Sequence, residues 1–184
     1  AGVHAKAMTA NATLYTDLTT SQIRNYLNFY LPCDICVLEV HEAAPRFHSR
    51  YHATGKTYTY TCYIGPLKPI FDRNYVYVLT YTPDIKKMQK AAEFLTGEHD
   101  FRSFCGNPRL KKSTIRNVDS IQITQEGPYV RFTYHGNGFL QNMVRILTGT
   151  LLEVGCGKRS PDSMIALLDA KDRKEAGFMA PAQG

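Results

Sequence analysis

Three short stretches of this chain combine residue types suited to phosphate and to unstacked bases. Phe47-His48-Ser49-Arg50-Tyr51, with the following Lys56-Thr57-Tyr58, sets two cations among three aromatic rings. Guanidinium and ammonium groups bind phosphate, and flat rings offer faces to a base drawn from its stack. Pro108-Arg109-Leu110-Lys111-Lys112 places three cations in four residues, a density that suits phosphate neutralisation and a steep salt dependence of binding. In the third stretch, Gly138 to Gly149, a helical projection puts Phe139, Leu140, Met143, Val144, Ile146, Leu147 and Leu151 on one side and Arg145 on the other. Thr148 and Gly149 beside Arg145 are small, which lets another chain segment or an RNA come close. Pattern alone allows plainer readings of all three: a strand packing its tyrosines on a core, a solvated loop, and a solvated Arg on an amphipathic helix.

The bulk composition agrees with a polyanionic partner without requiring one. Lys and Arg number 22 against 16 Asp and Glu, a net charge of +6 with a pI near 9.1. No apolar run approaches the roughly 20 residues needed to cross a bilayer. Five scattered cysteines, an odd number, argue for a reducing cytoplasm over a disulfide framework. Cys33 and Cys36 form a lone C-x-x-C without the second ligand pair that zinc wants. They sit in an alternating stretch, so burial as small apolar residues is expected. The six histidines show no metal spacing, and neither a phosphate-cradling glycine loop nor a Ser-His-Asp or Cys-His arrangement is readable.

The elements that must carry these residues follow from periodicity. Strands are expected at Val3–Leu14, about Ile35–Ala43, Thr57–Ile64, Ser113–Thr124 and Tyr129–Tyr134. Helices are expected from Thr20 or Ser21 to Tyr30, from Thr82-Pro83-Asp84 to a stop at Gly97, from about Phe139 to Val154, and from Ser160-Pro161-Asp162 to about Ala170. The residues from Phe104 to Lys112 read as a loop. Such a mixture points to an α+β fold, an antiparallel or mixed β-sheet with helices packed on one face.

Four stretches, in order along the chain, resemble the tRNA pseudouridine synthase A family. Ala1-Gly2-Val3-His4-Ala5 is similar to the second half of the family segment Gly-Arg-Thr-Asp-Ala-Gly-Val-His-Ala. Phe47 to Tyr60 resembles Phe-x-Ala-Arg-x-x-Ala-x-x-[Arg/Lys]-x-Tyr-x-Tyr, with Ser49 where Ala is common. Gly97-Glu98-His99-Asp100-Phe101-Arg102-Ser103-Phe104 resembles Gly-x-His/Asn-Asp-Phe-x-Ser-Phe. Phe139 to Gly149 resembles Phe-Leu-x-x-Met-Val-Arg-x-[Ile/Leu]-x-Gly, and Ala180-Pro181 adds a weaker point of likeness.

The resemblance implies a pseudouridine synthase fold and conversion of uridine to pseudouridine in the anticodon stem-loop of tRNA (positions 38–40), without metal or organic cofactor. It implies tRNA contacts at Phe47, His48, Ser49, Arg50 and Tyr51 and at Pro108, Arg109, Leu110, Lys111 and Lys112. Tyr58 is implied to lie against the target uridine. Arg145 is implied to pair with the nucleophilic Asp, which would precede Ala1, while Asp100 has a structural part. On this reading residues 1–184 are a catalytic-domain fragment, mostly the C-terminal half. The fragment would be truncated at both ends and inactive alone, from a cytoplasmic protein that is a homodimer when intact. A non-catalytic RNA-binding module is the alternative from another functional class.

Overall fold

A computed structural model describes residues 3–107 and 109–184. The chain forms two compact units, one of Ala1–His4 with Thr54–Gly184, the other of Ala5–Ala53. In the smaller unit the regular element is helix α1 (Thr20–Tyr30). Its first turn is closed by a capping box in which the Thr19 hydroxyl accepts from Gln22 N and the Gln22 side chain accepts from Thr19 N. The expected cap at Thr20 or Ser21 is thus one residue early, at Thr19.

The strands expected at 3–14 and 35–43 do not form. A strand needs a partner for its backbone groups, and near Val37 a side chain takes that place. Asn28 accepts from Val37 N at 2.7 Å and donates to Val37 O at 2.9 Å. Cys33 and Cys36 are exposed there, against the expectation of burial.

The larger unit is a five-stranded sheet in the order β2-β1-β5-β4-β3. Its strands are β1 (Lys56–Tyr63), β2 (Tyr77–Val78), β3 (Gly97–Asp100), β4 (Ile115–Glu126) and β5 (Tyr129–Gly136). β2 runs parallel to β1, and the other pairings are antiparallel. β1 and β5 pair without a break from Lys56↔Gly136 to Tyr63↔Tyr129. Along β5 buried Val130, Phe132, Tyr134 and Gly136 alternate with Arg131, Thr133 and His135, so the sheet has one covered and one open face. In β4 the alternation breaks, because Val118 and Ile123 are both buried although five residues apart. A bulge between Val118 and Ser120 inserts one extra residue, Asp119, and brings both onto the covered face.

Helices α2 (Ile85–Glu93) and α3 (Met143–Gly155) pack on each other, α2 against β4 and α3 against β1. α4 (Ser163–Ala170) packs on β3 and on the single 3₁₀ turn Arg102–Phe104. Met88, Leu95, Phe101, Phe104, Phe132, Ile146, Leu147, Leu151 and Leu152 form the fully buried centre, each contributing about 1.5–3 kcal/mol by leaving water. α2 is capped by Asp84, not by the expected Thr82: the Asp84 carboxylate accepts from Lys87 N at 3.1 Å.

β2 and β3 went unforeseen for different reasons: β2 (Tyr77-Val78) has strand-like residues but is only two residues long, and β3 lacks strand-like composition. β3 (Gly-Glu-His-Asp) is held by its ladder to β4 rather than by propensity. Gly97, expected only as a helix stop, starts that strand at φ +96, a backbone conformation open to glycine.

Asp100 shows why its motif is structural. Its carboxylate accepts from the Thr114 hydroxyl and from Arg102 N at 3.2 Å, and lies 3.4 Å from Lys171 Nζ. Two residues beyond Phe101, Ser103 Oγ donates to Leu167 O at 2.6 Å, tying the 3₁₀ turn to α4. Burial alone raises the Asp100 carboxyl, but the hydrogen bonds from Thr114 and Lys171 outweigh it and hold the group below its usual range. A depressed carboxyl stabilises the fold fully above its unfolded-state value of about 3.9, and that stability is lost as pH falls through the lower folded value. Asp100→Asn is therefore expected to cost about 1–2 kcal/mol at pH 7. Its deficit relative to the wild type should shrink at pH 3, as thermal unfolding at the two pH values will show.

Candidate active site

α3 begins four residues later than its apolar pattern suggests. Asn142 takes the left-handed conformation at φ 58, which Asn tolerates better than most residues, and so breaks the helix from Gly138–Gln141. The break releases Phe139 from the helix, and its ring meets Tyr58 edge-on with centroids 5.3 Å apart. Tyr58 is half-buried on β1, directly opposite Tyr134 of β5. Tyr134 is fully buried and shares a 2.8 Å hydrogen bond with Thr148 Oγ1 of α3.

Arg145 stands in the first turn of α3, half-buried rather than solvated. Its Nε donates to Ala180 O at 2.6 Å, and Nη1 reaches Asn142 Oδ1 at 3.4 Å. Ala180 N in return donates to Arg145 O at 3.1 Å. Among the described residues Arg145 joins no ion pair, so its cation is oriented by neutral acceptors.

The segment that supplies Ala180 lies along α3 like a strap. Gly177 N donates to Thr150 Oγ1 at 3.0 Å, Phe178 N to Glu153 Oε1 at 3.3 Å, and the Tyr60 hydroxyl to Pro181 O at 2.7 Å. The small residues expected to admit a neighbour beside Arg145 admit this one. A Cβ on Gly149 would sit 1.9 Å from Phe178 O. Burial holds the Tyr60 phenol far above its ordinary value; Cys62 and Tyr77 add to the shift, and the nearby Arg145 charge opposes it. Arg145 and the Tyr58–Tyr60 stretch thus share the helix-covered side of the sheet.

The basic loop joins this group through the backbone. Gly106 N donates to Gln141 O at 2.8 Å, and a Cβ on Gly106 would come within 2.9 Å of Asn142 Nδ2. Beyond it Arg109, Lys111 and Lys112 are exposed, while Leu110 packs partly on the core. Pro108 lies outside the described residues. His4, also of this unit, has its ring centroid 4.7 Å from that of Tyr75; Ala1 and Gly2 lie outside the described residues.

In the smaller unit, residues 47–51 form a turn folded around His48. Tyr51 N donates to His48 O at 3.1 Å, Arg50 N to His48 Nδ1 at 3.2 Å, and Ser49 N to Asn11 Oδ1 at 3.0 Å. The backbone is thereby satisfied locally, and Phe47, Arg50 and Tyr51 keep exposed side chains. Tyr58, Arg145 and the base of the basic loop therefore meet in one unit, whereas Phe47–Tyr51 belong to the other. Asn142, Tyr60 and the strap at Arg145 were missed in the sequence. The second Tyr of Tyr-x-Tyr and the likeness at Ala180-Pro181 were the signals available for two of them.

A five-stranded mixed sheet with helices on one face corresponds to a pseudouridine synthase fold. Residues 91–184 match the family model described as tRNA pseudouridine synthase. The whole chain is 41% identical over 184 residues to the tRNA pseudouridine synthase A of Clostridium kluyveri, covering 75% of that protein. It is 42% identical to tRNA pseudouridine synthase A 2 of Clostridium tetani over all of this chain and 74% of the relative. With the tRNA pseudouridine synthase A of Halalkalibacterium halodurans the identity is 40% over 183 residues and 70% of the relative. The chain belongs to the tRNA pseudouridine synthase A family.

Proposed function

We propose that this protein isomerises uridine to pseudouridine in tRNA, in the anticodon stem-loop at positions 38–40. The observation that carries the reading is Arg145, half-buried, bonded through Nε and Nη1 to neutral oxygens, and placed on the Tyr58 side of the sheet. A carboxylate is the group such a guanidinium would hold ionised. On this reading it is the Asp of Arg-Thr-Asp-Ala-Gly-Val-His, the segment whose His corresponds to His4, packed on Tyr75 in the same unit.

In that role the carboxylate attacks the flipped nucleotide and forms a transient covalent bond to it. The bond from C1′ to N1 breaks, the uracil turns, C1′ bonds to C5, the bond to the carboxylate breaks and frees it, and the proton on C5 leaves while N1 regains one. The reaction is an isomerisation with atoms balanced and needs no oxidant or reductant. On this reading Tyr58 stacks on the ring, and its hydroxyl takes the C5 proton. Unstacking costs a few kcal/mol. Cation–phosphate contacts at Arg50, Arg109, Lys111 and Lys112, and ring contacts at Phe47 and Tyr51, would offset it. The reading extends to a homodimer in the cytoplasm, where the five free cysteines are at home.

Tritium release from tRNA labelled at uridine C5 tests the proposal. The product of the complete gene should release it, and the 184 residues alone, with no Asp in that motif, should not. Salt-sensitive tRNA binding without release by the complete product would leave a non-catalytic RNA-binding module. Tyr58→Phe separates the roles of ring and hydroxyl: turnover is expected to fall about 10²–10⁴-fold if the hydroxyl moves the proton, with tRNA affinity retained. Tyr58→Ala should weaken binding as well, by about 1–3 kcal/mol of stacking.

A further inference from the structure

A cavity of about 160 Å³ opens beside the basic loop, lined by Arg102, Cys105, Asn107, Thr114, Lys171, Asp172 and Arg173. We propose that it is a second site for a phosphate of the RNA backbone, formed by Arg102, Lys171 and Arg173. The inference rests on the tRNA reading above and extends the footprint to a chain segment outside the recognised motifs.

Three features support it. The cavity lies at the root of the basic loop, since Asn107 and Thr114 bracket Arg109–Lys112, so one RNA strand can reach both. Its volume is about five water shares, room for a phosphate with a little solvent. Its cations are also held in different ways. Arg173 Nη1 donates to Ala176 O and Gly177 O at 3.2 and 3.0 Å, which fixes the guanidinium and leaves Nε and Nη2 for a ligand. The Arg102 guanidinium makes no hydrogen bond among the described residues, and the residue is exposed.

Lys171 adds an independent sign. It occupies φ 50 at the end of α4, a conformation glycine would adopt without strain, yet a lysine stands there. Its ammonium is 3.4 Å from Asp100, whose other oxygen is taken by Thr114 and Arg102 N. The carboxylate of Asp172, the acidic group on the lining, accepts from Lys174 N at 2.9 Å and so is engaged with its own turn.

The test is filter binding of tRNA by the complete gene product across a salt series. Arg102→Gln and Lys171→Gly are compared with Lys111→Gln/Lys112→Gln in the loop. Lys171→Gly removes the cation and its contact with Asp100, but the relief of the φ 50 backbone offsets the loss of that exposed pair. Its melting temperature should therefore stay within a few degrees, and Arg102→Gln changes an exposed side chain. The cavity variants together are expected to weaken binding about 5–20-fold near 0.1 M salt and to lower the salt slope by about one. Unchanged affinity and slope, with the loop variant weakened, would overturn the cavity site alone. If the loop variant also binds normally, the tRNA reading itself fails. A calorimetric titration with inorganic phosphate separates the sources: phosphate binding lost in the cavity variants, with tRNA affinity intact, would assign the cavity to free phosphate and overturn the RNA site.

Discussion

Gly149→Ala is expected to lower the stability of the protein, although helix propensity alone gives the opposite sign. In an unobstructed helix interior, alanine gains about 1 kcal/mol over glycine. Here the new methyl would lie 1.9 Å from the carbonyl oxygen of Phe178 and 2.8 Å from its carbon. Those are backbone atoms, so relief requires the strap to lift from α3. Overpacking of this kind costs about 1–3 kcal/mol, occasionally more, and lifting the strap also strips hydrogen bonds from Thr150, Glu153 and Arg145. The steric and hydrogen-bond losses outweigh propensity, leaving a net loss of about 2–3 kcal/mol and a fall in Tm of roughly 5–10 °C. Tritium release should fall with it even below the melting range, because Ala180 no longer orients Arg145. A variant as stable and as active as the wild type would show that the strap does not need its seat on Gly149.

The second large effect is expected at Arg145, where Lys is not a conservative replacement. Lysine keeps the charge but lacks the planar group that lets Nε bond Ala180 and Nη1 reach Asn142 while Nη2 makes no hydrogen bond among the described residues. If Arg145 fixes a nucleophilic carboxylate, Arg145→Lys lowers turnover by 10² or more, about 2.7 kcal/mol, while tRNA affinity stays within about threefold. Arg145→Met should lower turnover further and leave stability within about 2 kcal/mol, since the long apolar side chain still fills the space under the strap. The opposite pattern, affinity lost and turnover kept, would make Arg145 a phosphate contact instead. Single-turnover tritium release at saturating enzyme, paired with filter binding, separates the two.

What was legible in the sequence follows a physical line. β1, β4, β5 and helices α2, α3 and α4 announce themselves by period and composition, because each buries apolar residues. α1 is readable from its period and cap, although it buries none of its residues. β3 does not, since Gly97–Asp100 is a strand only by virtue of its partner. The strands expected at 3–14 and 35–43 fail for the converse reason: alternation without a ladder is not enough. Of the candidate site, Tyr58 and Arg145 were readable from motifs, and the small residue at 149 was readable as a place of close approach. The occupant of that place was not. It lies about thirty residues on, and its contacts with Arg145 and Tyr60 are made by backbone carbonyls, which carry no side-chain signature. Asn142 is visible in hindsight, since a residue tolerant of φ 58 inside an apolar helical run marks a break.

The extra residue at Asp119 makes counting, and not only chemistry, part of how this protein is encoded. Upstream of it the ladder is one step out of phase with the rest of β4, so Val118 faces inward only because Asp119 is passed over. Were the bulge ironed out so that Asp119 took its own place in the ladder, Ile115–Val118 would turn to the opposite faces. The cationic loop that leads into the strand would start from the wrong side of the sheet. Substitutions in this stretch can be absorbed one side chain at a time, whereas a slip of the ladder by one is felt by every residue back to Asn107.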